Sequence, residues 1–135
     1  KSTNATAEAD GLAQIYSTYA ALTTNAGGII TSCILDATQS NVNYNATGKL
    51  TTDLTVAPQT KNELGDAYGM KAASGIGREW YEQAAAFAAY VTGKTNAEIQ
   101  GIALDEEGRA AESDLTASVT VHVTDFLTVI DKAAA

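Results

Sequence analysis

The residues best suited to bind a ligand lie together in one stretch, TKNELGDAYGMKAASGIGREWYEQ, at residues 60–83. It contains four glycines, the single methionine, the single tryptophan and two of the six tyrosines. Glycines that allow close backbone approach, a flexible thioether and aromatic rings favour one wall of a pocket for a planar ligand. The side chains that would line this pocket are Tyr68, Met70, Trp80 and Tyr81. The alternative is that Trp80 packs a helix onto a sheet, which its helical spacing alone favours.

Two glycines near the end of this stretch are suited to anion binding. The sequence SGIG at residues 74–77 precedes a predicted helix, so Gly75 and Gly77 would let backbone N–H groups approach a phosphate. The stretch matches neither a Walker loop nor a complete dinucleotide-binding motif. A tight entry into the helix is the alternative explanation of the same glycines.

The sequence offers no set of residues for catalysis or metal binding. The single histidine, His122, has no second histidine and no cysteine at ligand spacing, which argues against a zinc site or a catalytic triad. Asp105, Glu106 and Glu107 precede Gly108 in a predicted turn and lack the spacing of a calcium loop. We therefore expect no catalytic residues, no metal site and no independent catalytic activity.

Composition limits the partners and the compartment. Sixteen Asp plus Glu against eight Lys plus Arg give a formal net charge of -8, which disfavours nucleic acid and anionic lipid surfaces. No apolar run approaches the roughly 18 residues of a membrane-spanning segment. The lone Cys33 cannot form an intrachain disulfide and is expected to be a small buried hydrophobe. Few lysines and many Thr, Ser, Asn and Ala residues favour an exported protein.

The N-terminal half predicts a flexible arm followed by a β-hairpin. KSTNATAEAD at residues 1–10 is polar and has the composition of an arm or tether. LAQIYSTYAALTT at residues 12–24 and IITSCILD at residues 29–36 are rich in apolar and β-branched residues and flank a turn, NAGG. GKLTTDLTV at residues 48–56 is a further candidate strand.

The following region predicts helices. Thr60 with Glu63 and Thr95 with Glu98 have the spacing of capping boxes. The most regular helix follows Arg78, and two sets of residues define its faces. The apolar face comprises Trp80, Ala84, Phe87 and Val91, and the face towards water comprises Arg78, Glu79, Glu82 and Gln83.

The C-terminal part predicts a strand and then a helix. Residues 118–123 alternate, with three valines on one face and Ser118, Thr120 and His122 on the other. Thr124 would cap a helix that shares Phe126, Ile130 and Ala133 on one face. Together the elements predict an α+β fold: one compact domain at residues 11–135, with an N-terminal hairpin, central helices, and a closing strand and helix.

Three segments resemble a known group of proteins: TKNELGDAYGM, SGIGREWYEQAAAFAAYVTGKT and DLTASVTVHVTDFLTVIDKA. They are similar to the C-terminal two thirds of exported proteins and lipoproteins of anaerobic Gram-positive bacteria, whose domain resembles the FMN-binding domain of extracytoplasmic flavoproteins. With the hairpin included, the resemblance covers residues 11–134. It implies an FMN-binding-like fold and an extracytoplasmic location, either secreted or attached to the cell surface.

The flavin-attachment motif of that family has the form Ser-Gly-Ala-Thr/Ser-x-x-Thr, and the matching segment here is TASVTVHV at residues 116–123. Val119 and Val121 are branched where the motif favours small residues, and His122 lies near the position of the flavin-bearing hydroxyl. The resemblance therefore implies noncovalent rather than covalent FMN. The hydroxyls that would accept its phosphate are those of Thr116, Ser118 and Thr120.

Two functions follow as expectations. The first is an exported module that binds a flavin or another small ligand and serves extracytoplasmic electron transfer, with the cofactor supplying the redox chemistry. The alternative is a cell-surface structural or assembly protein that has lost the cofactor. Such a protein would form homo-oligomers or filaments through its N-terminal arm and strand edges.

Overall fold

A computed structural model describes residues 1–135 of the protein and has an α+β architecture, as predicted. Two long strands come first, and short helices and loops follow. The strands are β1 (Gly11–Thr24) and β2 (Ile30–Tyr44), and the α-helices are α1 (Lys61–Leu64), α2 (Trp80–Val91), α3 (Asn96–Gln100), α4 (Ser113–Thr116) and α5 (Thr124–Ala134). A 3₁₀ helix at Gly65–Tyr68 continues α1.

The predicted hairpin is confirmed, and its second strand is longer than the apolar run indicated. β1 and β2 pair antiparallel from Gly11 opposite Tyr44 to Thr24 opposite Ile30, with one irregularity near the turn. The turn is closed by the Asn25 side chain, whose Oδ1 accepts hydrogen bonds from two backbone N–H groups. Gly28 has a φ of 76°, which glycine adopts without strain. Backbone pairing with β1 extends β2 over residues 37–44, a polar sequence that by itself does not predict a strand.

The core lies between the inner face of the hairpin and the two longest helices. α2 buries Trp80 and Phe87 against β2, and α5 buries Phe126 beneath β1. The Trp80 and Phe126 rings meet edge to face, with centroids 5.7 Å apart, and the Phe87 and Phe126 centroids are 5.6 Å apart. These contacts fix the start of α2 against α5, which positions the surrounding loops.

Both predicted capping boxes are present. The backbone N–H of Thr60 donates to the Glu63 carboxylate at 2.8 Å, and that of Thr95 donates to Glu98 at 2.7 Å. The hydrogen bonds from Thr95 lower the pKa of Glu98, and the backbone N–H of Thr95 contributes most. Short helices α1 and α3 therefore begin where local hydrogen bonding satisfies their first N–H groups.

The prediction that Glu79 and Gln83 face water is wrong. Both residues have a relative exposure of 0%. Glu79 precedes α2 as its N-cap residue, and Gln83 lies one turn into the helix. Each side chain makes several hydrogen bonds to neighbouring loops, and these bonds compensate the burial of its polar atoms.

The predicted closing strand at residues 118–123 is also wrong. The segment is a loop that follows α4. Its valines at 119 and 123 are buried. The alternation therefore indicated burial and not strand pairing. α5 does begin at Thr124, but without a side-chain cap, and Ala133 is exposed. At residues 48–56 only Leu50 pairs, through an isolated bridge to Tyr44.

The first residues of the chain lie along the start of β1. Thr3 and Leu12 exchange both backbone hydrogen bonds at 2.9 Å, and the hydroxyl of Ser2 accepts from the backbone N–H of Gln14.

None of the helices has the length and apolar character needed to cross a bilayer, and the longest has 12 residues.

Candidate functional site

An aromatic cavity of about 450 Å³ opens between β1, α1 and the beginnings of α2 and α5. We define it by Tyr16, Lys61, Tyr68, Met70 and Trp80, which all line it. His122 and Asp125 lie at its exposed side. Three flat side chains around one space provide stacking surfaces for a planar ligand.

Lys61 is the buried charge of this cavity. Its relative exposure is 4%, and its Nζ donates a hydrogen bond to the Tyr16 hydroxyl at 2.7 Å. The same Nζ lies 4.5, 4.7 and 4.9 Å from the ring centroids of Tyr16, Tyr68 and Trp80. No carboxylate oxygen lies within 4.0 Å of it. The ammonium is therefore held by aromatic faces and one hydroxyl rather than by an opposite charge.

A second, polar cavity of about 500 Å³ adjoins the aromatic cavity. Both are bordered by Met70, Val121 and His122, so they meet along a shared boundary. The polar cavity is defined by Ser74, Gly75, Gln83, Arg109 and Thr120. The Arg109 guanidinium also pairs with Glu107 at the surface. Hydroxyls and a guanidinium on one concave surface are groups that bind phosphate.

Two loops, residues 70–79 and residues 118–123, border both cavities, and we call them the loop wall. Glu79 fixes the first loop: its carboxylate accepts from the backbone N–H groups of Met70 at 2.8 Å, Lys71 at 2.9 Å and Trp80 at 3.2 Å. Burial raises the pKa of Glu79, but these three donors and the Lys71 ammonium outweigh it and hold the pKa below its ordinary value. The carboxylate is therefore stabilised in its charged form.

Gln83 fixes the second loop. Its Oε1 accepts from the backbone N–H groups of Thr120 at 2.8 Å and Val121 at 3.2 Å, and from the Thr120 hydroxyl at 3.2 Å. Its Nε2 donates to the Ser74 hydroxyl and to the carbonyl of Arg78. One buried amide thus connects both loops of the wall, and residues 118–123 also form one isolated backbone bridge, between His122 and Arg109.

The structure brings together some of the residues singled out in the sequence. Tyr68, Met70 and Trp80 line the aromatic cavity, and Thr120 lies in the adjoining polar cavity. The remaining three lie elsewhere. The hydroxyls of Thr116 and Ser118 donate to backbone carbonyls around α4, and Tyr81 faces a different groove.

Tyr81 lies in an alanine-lined groove of about 520 Å³ between β2 and α2. Its hydroxyl is 3.4 Å from Asp66, and the charge of that carboxylate is the main reason that the pKa of Tyr81 is raised. Cys33 lies in the same groove, and burial raises the pKa of its thiol. The groove presents alanines and hydroxyls but no Lys or Arg side chain.

Sequence reasoning missed Lys61, Tyr16 and Arg109. Lysine at the first position of a short helix is ordinarily exposed, and nothing local marks Lys61 as buried. Tyr16 reaches the cavity from a strand 45 residues away in sequence from Lys61. The alternation of β1 was the available signal, because it places Tyr16 on the same face as Ala20 and Leu22, which pack on the core.

Comparison with known proteins gives a partial match. No protein family profile and no solved structure matches the chain. A segment of 42 residues is 55% identical to part of a protein named chlorophenol reductase from Desulfitobacterium hafniense. The segment is 31% of this chain, and the chain spans 13% of the length of that protein.

Proposed function

We propose that the chain is an exported module that binds FMN noncovalently and serves extracytoplasmic electron transfer. The observation that carries the proposal is the aromatic cavity with its buried Lys61 ammonium, adjoined by the polar cavity. Flat aromatic rings suit a planar ring by stacking, and hydroxyls with a guanidinium suit a phosphate. The two cavities meet, so one ligand that has both parts can occupy them together.

The residues present fit such a cofactor. Tyr16 and Tyr68 would hold the ring by stacking beside the buried Trp80, and Arg109 with Ser74 would hold the phosphate. The Thr120 hydroxyl is engaged by Gln83, which favours a hydrogen-bonding role over covalent attachment. When bound, FMN supplies the electron transfer. The chain's own residues orient the ring and exclude water from its buried face.

The partial match to a protein named as a reductase supports a role in electron transfer. The matched segment is short relative to both proteins, so it suggests the class of chemistry and not a substrate. Net charge of -8 and the absence of a set of catalytic residues in the sequence favour a module that works with a separate redox partner.

Trp80 allows a direct test, since it is the only tryptophan and lines the aromatic cavity. We expect FMN to quench its fluorescence saturably and to bind more tightly than riboflavin, which lacks the phosphate. The denatured mass should be unchanged. Tyr68→Leu should weaken FMN binding roughly tenfold through lost stacking, whereas Tyr19→Leu, on the outer face of the hairpin, should not change it.

A protein that neither quenches nor retains FMN would overturn the proposal. The assembly role would then become the leading function. The exposed outer face of the hairpin, where Ile15 and Ile34 are 67% and 64% exposed, would be its natural contact surface. Equal losses from Tyr68→Leu and Tyr19→Leu would show instead that FMN binds outside the aromatic cavity.

A further inference from the structure

The aromatic cavity contains a positive charge that the protein itself does not neutralise. An ammonium has three donor hydrogens, and Lys61 uses one of them for the Tyr16 hydroxyl. The other ionisable groups that border the cavity are His122 and Asp125, both exposed, and the Asp125 carboxylate is not within 4.0 Å of the ammonium. The buried cation therefore lies at the wall of the cavity without an opposite charge.

We propose that Lys61 makes the cavity selective for a planar ring that itself carries negative charge. This inference rests on the proposed function, because for FMN the anionic ring is the two-electron-reduced form that lacks a proton at N1. Oxidised FMN takes up two electrons and one proton to give this anion. In the cell the electrons come from a separate redox protein, and in the experiment they come from dithionite.

Charge is the physical reason for the preference. Burying a cation costs free energy when no opposite charge compensates it, and the faces of three aromatic rings offset only part of that cost. A neutral oxidised ring adds further stacking but no opposite charge. An anionic ring adds an ion pair and charge-assisted hydrogen bonds to an ammonium that is almost fully buried, and burial strengthens both. The reduced ligand should thus bind more tightly than the oxidised ligand.

The test is a comparison of FMN affinity in the two redox states, measured anaerobically on the full chain above neutral pH. We expect reduced FMN to bind about tenfold more tightly or better. By thermodynamic linkage, each factor of ten raises the midpoint potential of bound FMN by about 30 mV relative to free FMN for a two-electron couple. Spectroelectrochemical titration measures this shift independently of any activity.

Variants assign the effect to Lys61. Lys61→Met should abolish the potential shift, and Lys61→Arg should keep most of it. Lys94→Met is the matched control, because Lys94 also lies over a tyrosine, 4.0 Å from the Tyr90 centroid, but lines neither cavity. This variant should behave like the wild type.

The outcomes separate the two proposals. If FMN binds but its potential is unchanged or lowered, the inference about Lys61 is wrong and the flavin function stands. If Lys61→Met keeps the full shift, another group causes it and the inference is again wrong. If FMN binds in neither redox state, both proposals fail. The wild-type comparison needs no variant, so an unchanged or lowered potential overturns the inference even if Lys61→Met does not fold.

Discussion

The hairpin and the loop wall are held in place in opposite ways. The hairpin is a continuous ladder of backbone pairs from Gly11 opposite Tyr44 to Thr24 opposite Ile30. The loop wall has almost no regular structure, and four of its backbone N–H groups bond to the buried side chains of Glu79 and Gln83. Stability is therefore distributed over many residues in the hairpin and concentrated on two residues in the wall.

This difference matters for function because the wall borders both cavities. A side chain can hold a loop without requiring that its neighbours adopt strand or helix geometry. The loop residues are then free to present backbone and side-chain groups towards a ligand. The arrangement also makes the cavities sensitive to single substitutions in a way that the hairpin is not.

Glu79→Ala should have the largest effect. It removes the acceptor for three backbone N–H groups, those of Met70, Lys71 and Trp80. An unsatisfied donor costs about 1–3 kcal/mol, and the lower end applies to the half-buried Met70 and the exposed Lys71, so the free energy of unfolding should fall by roughly 3–4 kcal/mol. Urea denaturation followed by circular dichroism measures the change. Glu106→Ala, in an exposed turn, is the control and should change stability by less than about 0.5 kcal/mol.

Gln83→Ala should have an intermediate effect. Thr120 and Val121 lose the acceptor of their backbone N–H groups, and we expect a loss of about 2–3 kcal/mol. Amide hydrogen exchange should accelerate most at these two positions. On the hairpin, Gln14→Ala removes a side-chain bond to Asn41 and should cost less than about 1 kcal/mol. Equal costs for the two glutamines would contradict the contrast between hairpin and wall.

Acidification should produce the smallest effect. The pKa of Glu79 in the folded protein is below its ordinary value of 4.5, so the unfolded chain binds the proton more readily. The stabilisation is complete above pH 4.5 and is lost as the pH falls through the folded-state pKa. The Tm of the wild type should therefore approach that of Glu79→Gln as the pH decreases. A constant difference between the two Tm values would show that the charge of Glu79 is not what stabilises the wall.

The sequence was informative about several features that depend on near neighbours, although the predicted Thr124 cap did not form. The turn after β1 and the capping boxes at Thr60 and Thr95 are local hydrogen-bond patterns, and they form as predicted. The apolar stripe of α2, including Trp80 and Phe87, is buried as its spacing indicated. The α+β fold class followed from these elements.

The buried polar residues could not be identified in this way. Glu79 and Gln83 lie on the polar side of a helical pattern, and only the loops packed over that side bury them. Lys61 becomes buried because Tyr16, Tyr68 and Trp80 arrive from three different elements. Periodicity describes which face of one element is apolar and contains no information about what covers the other face.

The same limit explains the error at the C-terminus. The valines at 119, 121 and 123 alternate as in a strand, but residues 118–123 do not pair with β1 or β2, which form a two-stranded sheet by themselves. Their backbone bonds go to Gln83 and to the carbonyl of Gly108 instead. A β-strand requires a partner strand as well as alternating residues, and the sequence shows only the alternation.

The separation of Gln83 from Thr120 by 37 residues has a kinetic consequence. The hairpin can close its turn first and then extend pair by pair, so each step adds contacts between segments that are already near each other. The bonds from Gln83 require α2 to meet a segment beyond α3 and α4, and contacts within that loop, such as the Tyr90 hydroxyl with Glu112, shorten it only after they have formed. We expect the hairpin to form early and the ligand site to be among the last parts of the domain to fold.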